Sequence, residues 1–528
     1  MLHGARLDVL EAGRGGAVAA HAPMAEPPQA APRIELSVAN LLASLEIPIN
    51  HVEKIGLRPE DVVFGFVAQN VGAGRPMARV YSDIAHVMSS RGQPTLTVAY
   101  FRRSLACSPD REIHDRLFHA LMISPETTNE SMLADAKAWS EIYAAPGSHG
   151  RNFEIDRDPK RPLRIGYVCN FFYGLGTRIG HLPMMMRHDK SHFEVIAYSD
   201  SDDVADDLGV ASIWRSTEKL NDDAFAQLVL NDRVDILVEL NGRGGRNRFD
   251  AFAQRLAPIQ INFGNFLATT GLPAVDYTIV HEVSVPPEDD RFYTEKVYRL
   301  KCMAVDFIQC WPPDFFPPVA PPPYRKAGRI TFGCFGGSVK VDEKLIETWC
   351  NIVKRVKGAR FYYKSMSLSD PGTLNVFRGI FERHGLSGDQ IMFEGSSDHR
   401  TMLELYSHVD IALDTFPYNG GNTTLEALWQ GIPVVTLKGD RWASRTGAGL
   451  MALGGFDEFV ANTSREYEDM AVRLAADHDF LEHFRTTSRE RLRGSRLFDM
   501  AEFTREIEQA YRTMWREWLK AHPTNVGA

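Results

Sequence analysis

The sequence lacks the features that mark three common classes of protein. Its six cysteines form no C-x-x-C pair, which argues against a zinc motif or a disulfide framework and favours buried thiols in a reducing compartment. No apolar run is long enough to cross a membrane, and Arg6, Glu11 and Arg14 interrupt any signal segment near the N-terminus. A net charge of −9 gives no positive field that would attract nucleic acid. We therefore expect a cytoplasmic protein with neither a membrane span nor a nucleic-acid partner.

What the sequence does contain is the composition of a globular protein with several domains. Of its 528 residues, 44% are apolar and 24% are charged, and this length predicts two or three domains. Residues 1–33 are rich in Ala, Gly and Pro and show no periodicity, so we predict that they are disordered. Residues 34–157 are predicted to form a helical region.

One stretch of this helical region, Ala78–Pro109, has the pattern of a tetratricopeptide unit. Tyr81, Ala85, Gly92 and Tyr100 fall where that repeat, about 34 residues long, places its small and aromatic packing residues. A generic helical hairpin is the alternative. Because a lone repeat cannot bury its own apolar face, we expect it to cap the domains that follow rather than build a long peptide-binding superhelix.

Beyond Arg157 the pattern changes to apolar strands that alternate with helices, as in doubly wound parallel sheets. The alternation stops at a Pro-rich linker, Trp311–Tyr324, and then starts again. We predict two Rossmann-like domains, at residues 158–322 and 323–495, with the active site in the cleft between them. The predicted strands of the two domains include Leu163–Val168, Phe193–Asp200, Val234–Leu240, Ile259–Phe263, Val275–His281, Ile330–Phe335 and Ile411–Leu413.

The last segment, residues 496–528, is predicted to be a helix with a tail. Phe503, Ile507, Tyr511 and Met514 form an apolar stripe at helical spacing. The helix could cross back to the first Rossmann-like domain or pack on its own domain.

The segment Asp410–Leu437 carries the clearest chemical signal. A buried strand ends in a loop, Tyr418–Thr424, and a helix and a second strand follow. A helix that begins after such a Gly-rich turn presents free backbone N–H groups to a diphosphate. The predicted donor-binding residues here are Gly420, Gly421, Asn422, Thr423, Thr424 and Glu426, the last as an acceptor for a ribose hydroxyl. An ordinary strand-to-helix turn, capped by its Thr residues, is the alternative.

The same segment resembles a known family. L-D-T-F-P-Y-N-G, a Thr-Thr pair and A-L-W-x-G-x-P-V-V-T are similar to the nucleotide-sugar-binding segment of the O-linked N-acetylglucosamine transferase and SPINDLY family, glycosyltransferase family 41. The resemblance spans Arg164–Trp515 and suggests a divergent, bacterial-type member. It implies a GT-B fold and an inverting, metal-independent enzyme. Such an enzyme would need no cofactor and would move N-acetylglucosamine from UDP-GlcNAc to Ser or Thr hydroxyls of a protein.

The resemblance also assigns residues outside this segment. Lys340 ends the loop Phe335–Lys340, where the family has a lysine that contacts the donor diphosphate. Such a cation would stabilise the leaving group as the glycosyl–phosphate bond breaks; a plain surface lysine is the alternative. Ser397 and His399 fall where the family contacts uracil and ribose.

The half of the cleft expected to bind the acceptor departs from the family pattern. Arg243 stands in place of a family histidine, and Phe266–Ala268 replaces a Tyr-Pro-Gly turn ahead of Thr269 and Thr270. These residues are predicted to lie on the acceptor side. A second family histidine is missing after the first strand, where His181 is the candidate replacement and a packed or surface histidine is the alternative.

Three further questions stay open from the sequence. Asp200–Asp203 resembles a D-x-D metal motif, although a solvated charge run is favoured and no metal site is predicted. Gly242–Arg246 could hold a phosphate or face solvent. The donor could be another nucleotide sugar, such as GDP-fucose, or the chain could be a nucleotide-sugar-binding scaffold. We predict that protein acceptors dock on the helical N-terminal region.

Overall fold

The computed structural model describes residues 75–144, 153–172, 174–201, 209–243, 247–264, 266–306, 311–312 and 314–523. All of them belong to one compact unit that spans residues 70–528. The predicted disorder of residues 1–33 and any helix before residue 75 lie outside these ranges.

The described N-terminal region is helical. Helices α1 (Met77–Ser90) and α2 (Pro94–Cys107) form an antiparallel hairpin, and α3 (Arg111–Ile123) and α4 (Asn129–Tyr143) follow. Gly92 makes the α1–α2 turn with a φ of 68°, a conformation that suits glycine. Side-chain caps fix the starts of the next two helices, because Asp110 accepts from the Ile113 N–H and Thr128 accepts from the Ser131 N–H. The hairpin is therefore present; its assignment as a tetratricopeptide unit stays a prediction.

The first α/β domain has a parallel sheet of seven described strands in the order β3-β2-β1-β4-β5-β6-β7. The strands are β1 (Leu163–Cys169), β2 (Phe193–Ser199), β3 (Ile213–Ser216), β4 (Ile236–Glu239), β5 (Ile259–Asn262), β6 (Tyr277–His281) and β7 (Lys296–Leu300). The helices between them are α5 (Leu175–Ile179), α6 (His181–Arg187), α7 (Asp222–Asp232) and α8 (Phe249–Ala253).

The second α/β domain has a parallel sheet of six described strands in the order β10-β9-β8-β11-β12-β13. The strands are β8 (Thr331–Cys334), β9 (Arg360–Lys364), β10 (Ile391–Glu394), β11 (Ile411–Leu413), β12 (Val434–Leu437) and β13 (Val460–Ala461). The helices are α9 (Tyr324–Ala327), α10 (Glu343–Arg355), α11 (Pro371–Arg383), α12 (His399–Leu405), α13 (Asn422–Trp429), α14 (Thr446–Gly454), α15 (Ser464–Ala476) and α16 (His478–Arg493).

Each sheet reverses its strand order at one point, between β1 and β4 and between β8 and β11. In open parallel sheets, ligands bind at the carboxyl ends of the strands beside such a reversal. The predicted fold, two Rossmann-like domains behind a helical region, is confirmed.

The last helix, α17 (Met500–Ala521), packs on the first sheet rather than on the second. Its buried stripe, with Phe503, Ile507 and Met514, joins the same apolar core as the β1 and β4 side chains. The chain therefore forms the first domain, then the second, and returns to the first with α17, so the two domains are connected twice.

The helical region contacts both α/β domains. Asp115 of α3 pairs with Arg243 of the first domain at 3.1 Å, while Arg441 of the second domain donates to the Ser124 carbonyl at the end of α3. The α1–α2 turn also abuts the second domain, since a methyl group added at Gly92 would lie 2.0 Å from the Val341 carbonyl oxygen. Helix α3 therefore bridges the two domains.

Among the described cysteines all are free, and Cys169, Cys302, Cys334 and Cys350 are buried as predicted. Cys107, at the end of α2, is exposed instead. In the described part of the chain, every helix is too short or too polar to cross a membrane.

Candidate active site

A buried carboxylate, Asp414, organises the predicted diphosphate loop. It follows β11 and accepts hydrogen bonds from the Gly420 N–H at 2.6 Å and the Thr436 hydroxyl at 2.7 Å. Burial raises the pKa of Asp414 to about 6, although these bonds and the nearby Lys340 charge oppose the rise. A methyl group at Gly420 would lie 2.4 Å from the Thr424 hydroxyl, so the tight turn requires glycine. Asp414 thus fixes the loop that ends at the start of α13.

The N-terminus of α13 is open. Its N-cap residue is Gly421, and no described side chain caps it, so the first-turn N–H groups are free to bind an anion. Thr423 and Thr424 line a recess together with Gly336 and Thr415, at the carboxyl ends of β8 and β11. This recess lies at the reversal point of the second sheet, where a nucleotide phosphate is expected.

Lys340 lies beside the same loop. Its ammonium donates to the Asn419 carbonyl at 3.2 Å and lies 4.0 Å from the centre of the Tyr418 ring. Burial lowers the pKa of Lys340 to about 8, with the Asp414 carboxylate acting in the opposite direction. The ammonium is therefore still charged at neutral pH, and its surroundings are poor in water, so that its field on a bound phosphate is strong. The structure brings this predicted cation and the predicted anion-binding loop together.

His399 stands at the start of α12 in an aromatic setting. Its ring nitrogen Nε2 lies 2.7 Å from the carboxylate of Glu426, and its ring lies 5.7 Å from Trp311 and 5.3 Å from Phe315. Glu426 is only 1% exposed; its Oε1 atom holds the His399 ring, and its Oε2 atom is buried without a partner among the described residues. The Ser397 hydroxyl is buried and has no partner in the described part of the chain. A planar base could stack in this setting, and the Ser397 hydroxyl could bond it.

A cavity of about 230 Å³ lies between the two domains beside α13. Gly421 and Asn422 line it from the second domain, and His181 and His281 line it from the first. The remaining lining is mostly apolar, yet the Nδ1 atoms of both histidines are buried without a partner among the described residues. Burial lowers the pKa of each histidine to about 4, so both rings are neutral. The cavity therefore offers two unfilled imidazole nitrogens next to the phosphate loop.

Arg243, which was predicted to lie on the acceptor side, is paired within the protein. Its side chain is 1% exposed and pairs with Asp115, and its guanidinium lies 4.0 Å from the Trp139 ring centre and 4.2 Å from that of Phe118. It borders the space under the helical region, but Asp115 neutralises its charge. Arg243 fastens the helical region to the first domain, which a local sequence pattern cannot reveal.

Phe266, Thr269 and Thr270 also differ from the acceptor-side prediction. Phe266 is 1% exposed and packs edge-on against Phe118. The Thr269 hydroxyl donates to Glu295 at 2.6 Å, and Thr270 donates to the same carboxylate through both its N–H and its hydroxyl. This loop has a structural role, because its polar groups already donate hydrogen bonds to the buried Glu295 carboxylate.

The remaining candidate residues are the acidic run at Asp200 and the Gly-Arg run after Asn241. Asp200 is buried and accepts from Arg248 and Thr217, while residues 202–208 and 244–246 lie outside the described part of the chain. The described residues contain no group of three or more His, Cys, Asp or Glu side chains placed to hold a metal ion. Sequence reasoning missed Asp414 and Tyr418, although a carboxylate directly after a buried strand was a usable signal. It also missed His281, which ends β6 with an ordinary strand pattern before it.

This geometry defines a class. The arrangement is that of a GT-B glycosyltransferase. It consists of two Rossmann-like domains, an anion-binding loop with a lysine, an aromatic setting for a base and a cavity between the domains.

Comparison with known proteins identifies the family. The model of "Glycosyl transferase family 41" matches residues 144–308 and 325–507. The chain is 30% identical over 408 residues to the probable UDP-N-acetylglucosamine–peptide N-acetylglucosaminyltransferase SPINDLY of Solanum lycopersicum. The aligned region covers 74% of this chain and 43% of that protein. It is 32% identical over 406 residues to the protein of the same name from Hordeum vulgare, covering 74% and 42%.

A solved structure agrees with these relatives. A lysine-to-methionine mutant of the Thermobaculum terrenum O-GlcNAc transferase matches with a TM-score of 0.76 and 32% identity, over 84% of this chain and 85% of that one. The chain spans less than half the length of the curated SPINDLY relatives. It belongs to glycosyl transferase family 41 and is a glycosyltransferase similar to the O-GlcNAc transferases.

Proposed function

We propose that this protein transfers N-acetylglucosamine from UDP-GlcNAc to Ser or Thr hydroxyls of a protein acceptor, with inversion and without a metal ion. The observation that carries the proposal is the approach of the Lys340 ammonium to the Asn419 carbonyl, beside the open N-terminus of α13. Two independent positive groups, a side-chain cation and a helix terminus, converge on a space that suits a diphosphate.

The donor would lie along the carboxyl ends of the second sheet. The diphosphate would accept from the first-turn N–H groups of α13, the Thr423 and Thr424 hydroxyls and Lys340. The base would stack in the aromatic setting of His399, where the free Ser397 hydroxyl supplies a hydrogen bond. The sugar would enter the cavity of about 230 Å³ beside Gly421, whose volume suits one sugar ring.

N-Acetylglucosamine is the favoured sugar for two reasons. The named function of the SPINDLY and Thermobaculum relatives includes that sugar. The unpartnered Nδ1 atoms of His181 and His281 can also take hydrogen bonds from sugar hydroxyl or acetamido groups. His181 would act on the sugar, since its ring lines the small apolar cavity proposed for the sugar.

The reaction would proceed by direct displacement. The acceptor hydroxyl oxygen attacks the anomeric carbon, and the bond from that carbon to the diphosphate oxygen breaks. The bonding electrons leave with the nucleoside diphosphate, whose growing negative charge Lys340 and the α13 terminus stabilise. A divalent cation is not required in this scheme, because these groups supply the positive charge.

The acceptor would dock on the helical N-terminal region. This region lies over both domains, through Asp115–Arg243 and Arg441–Ser124, so a protein bound to it is held above the cleft. One described hairpin offers a small contact area, which favours a few folded partners over many free peptides.

A panel of nucleotide sugars tests the proposal. UDP-GlcNAc and UDP should raise the melting temperature and bind by calorimetry more tightly than GDP-fucose and GDP. UDP-GlcNAc should also be consumed in the presence of a chelator. Preference for GDP and GDP-fucose would redirect the donor assignment, and activity that requires Mg²⁺ or Mn²⁺ would refute the metal-free scheme.

A further inference from the structure

A second, larger cavity lies under the helical region. Its volume is about 800 Å³, and it is lined from α1, α2 and α3 and from Arg243 and Asn247 of the first domain. It differs from the sugar cavity in being larger and in being lined mainly by polar and charged side chains. An enzyme that modifies a protein needs a second space of this kind for the acceptor segment.

The charged groups of this cavity are mostly paired with one another. Arg243 pairs with Asp115, Arg116 pairs with Glu112, and Arg111 pairs with Asp250 at the rim. His86 is occupied by Arg116, from which its ring nitrogen lies 3.0 Å away. His119, in contrast, makes no hydrogen bond or ion pair with any described residue, and its side chain is exposed within the cavity.

The position of His119 along α3 places it over the cleft between the domains. Asp115, four residues earlier and on the same helix face, is anchored to the first domain through Arg243. Ser124, five residues later, is held by Arg441 of the second domain. His119 thus lies between the two anchors, on the part of the helix that passes from one domain to the other.

The Lys340 loop lies close to this position. The α1–α2 turn touches Val341, the residue after Lys340, and Ser89 near the end of α1 lines the same cavity as His119. Protein atoms around His119 displace much of the water that would otherwise surround its ring, although the ring also reaches the cavity. This loss of water, and next the charge of Lys340, lowers the pKa of His119 and keeps its ring neutral.

We propose that His119 is the residue that receives the proton of the acceptor hydroxyl, within a cavity that holds the acceptor segment. The proposal rests on the proposed function. As the hydroxyl oxygen bonds to the anomeric carbon, its proton passes to a ring nitrogen of His119, and the bonding electrons of the donor leave with the nucleoside diphosphate. The helical region thereby supplies the base for the reaction.

The first test needs no acceptor. UDP placed beside Lys340 adds negative charge near His119, so it should raise the pKa of His119 by about 0.5 or more. Ring-proton NMR can follow this titration, with the His119 signal assigned from its loss in His119→Gln. His192, an exposed histidine paired with Asp189 on the first domain, serves as the control and should not respond. If UDP binds and the pKa of His119 stays constant, His119 does not face the donor and the proposal is refuted.

The second test measures transfer. The probe is a mixture of random-sequence Ser and Thr peptides, with UDP-GlcNAc as donor and mass spectrometry as readout. Because free peptides are expected to be weak acceptors, they are used at millimolar concentration. His119→Gln should lose about 100-fold or more of the wild-type rate, with UDP affinity unchanged. His119→Ala should regain part of the rate when imidazole is added, which a purely structural role would not explain.

The outcomes separate the two proposals. If the wild type transfers sugar and His119→Gln equals it while His192→Gln is also normal, the role of His119 is refuted and the proposed function stands. If the wild type binds neither UDP nor GDP and transfers from no nucleotide sugar, the proposed function fails and this inference fails with it.

Discussion

The two halves of the cleft treat their polar residues in opposite ways. In the second domain, Thr423 lines an open recess and the Ser397 hydroxyl has no partner among the described residues, while the buried Asp414 shapes the loop beside the Lys340 ammonium. In the first domain, Arg243 and Thr270, predicted at similar positions after strands, are consumed by Asp115 and Glu295. One half keeps polar groups available to a ligand, whereas the other half uses comparable residues in structural contacts, Arg243 with the helical region and Thr270 within its own domain.

The difference teaches that a polar residue after a strand is a ligand group only when nothing else covers that strand edge. The edge of the second sheet between β8 and β11 remains partly open. The corresponding edge of the first sheet is covered by α3 and α4, whose Ala136 carbonyl lies 2.3 Å from where a methyl group at Gly271 would be. Because this edge is covered, its polar side chains make structural contacts.

The strongest test of this comparison is to remove the structural cation. Arg243→Met leaves the buried Asp115 carboxylate with only the Asn247 amide and no positive charge beside it, so we expect the free energy of unfolding to fall by about 3–5 kcal/mol. UDP affinity should not change. Chemical denaturation and calorimetry measure the two effects.

A matched control comes from the surface. Arg102 pairs with Asp135 at 2.8 Å but is 53% exposed, so Arg102→Met should cost at most about 1 kcal/mol. Replacing Asp115 by Asn together with Arg243→Met should restore part of the lost stability. Loss of UDP binding in a folded Arg243→Met protein would show that the two halves are not separate.

The second prediction concerns the functional cation. Lys340→Met should reduce transfer by about 100-fold or more, because the leaving diphosphate loses its charged partner. The melting temperature should stay near that of the wild type, since Lys340 bonds only one backbone carbonyl. Lys344→Met, four residues along and exposed at the start of α10, is the control and should retain full activity. Near-normal turnover of Lys340→Met would remove Lys340 from the mechanism.

The same contrast shows which parts of the structure can be predicted from the sequence alone. The strands in the middle of the two sheets were predicted because continuous apolar runs buried on both faces are a strong local signal. Three edge strands, β3, β7 and β13, were not, because Ile213–Ser216 and Lys296–Leu300 are polar or half exposed and Val460–Ala461 has only two residues. The donor loop was predictable for a similar reason, since strand, turn and helix follow one another within a few residues.

The acceptor half was not predictable in this way. The fate of Arg243 depends on Asp115, which lies 128 residues earlier in the chain. No periodicity or spacing near residue 243 encodes that pairing, and the family resemblance gives no guide here because this chain has an arginine where the family has a histidine. His119 was missed for the same reason, as it lies on an ordinary helix and gains its position only from packing.

The third prediction tests the donor loop in finer detail. Thr423→Val and Thr424→Val each remove a hydroxyl while keeping the shape, so each should weaken UDP binding about tenfold or somewhat less. Thr513→Val, on the exposed side of α17, removes a hydroxyl that bonds only the Gln509 carbonyl and should have no effect. Calorimetry with UDP and with GDP gives the affinities. Unchanged binding in both loop variants would place the diphosphate elsewhere.

The smallest predicted effect is a pH dependence confined to the donor half. Burial lowers the pKa of Lys340 to about 8, below the ordinary value for lysine. The charged form is present below this pKa and is lost as the pH rises through it. UDP, an anion, binds the charged form better, so its affinity should be constant near pH 7 and fall about fourfold by pH 8.5. Lys340→Arg keeps its charge across this range, so its UDP affinity, whatever its absolute value, should not show the fall. A fall of equal size in Lys340→Arg would mean that another group titrates, and the donor half would then not depend on this buried cation.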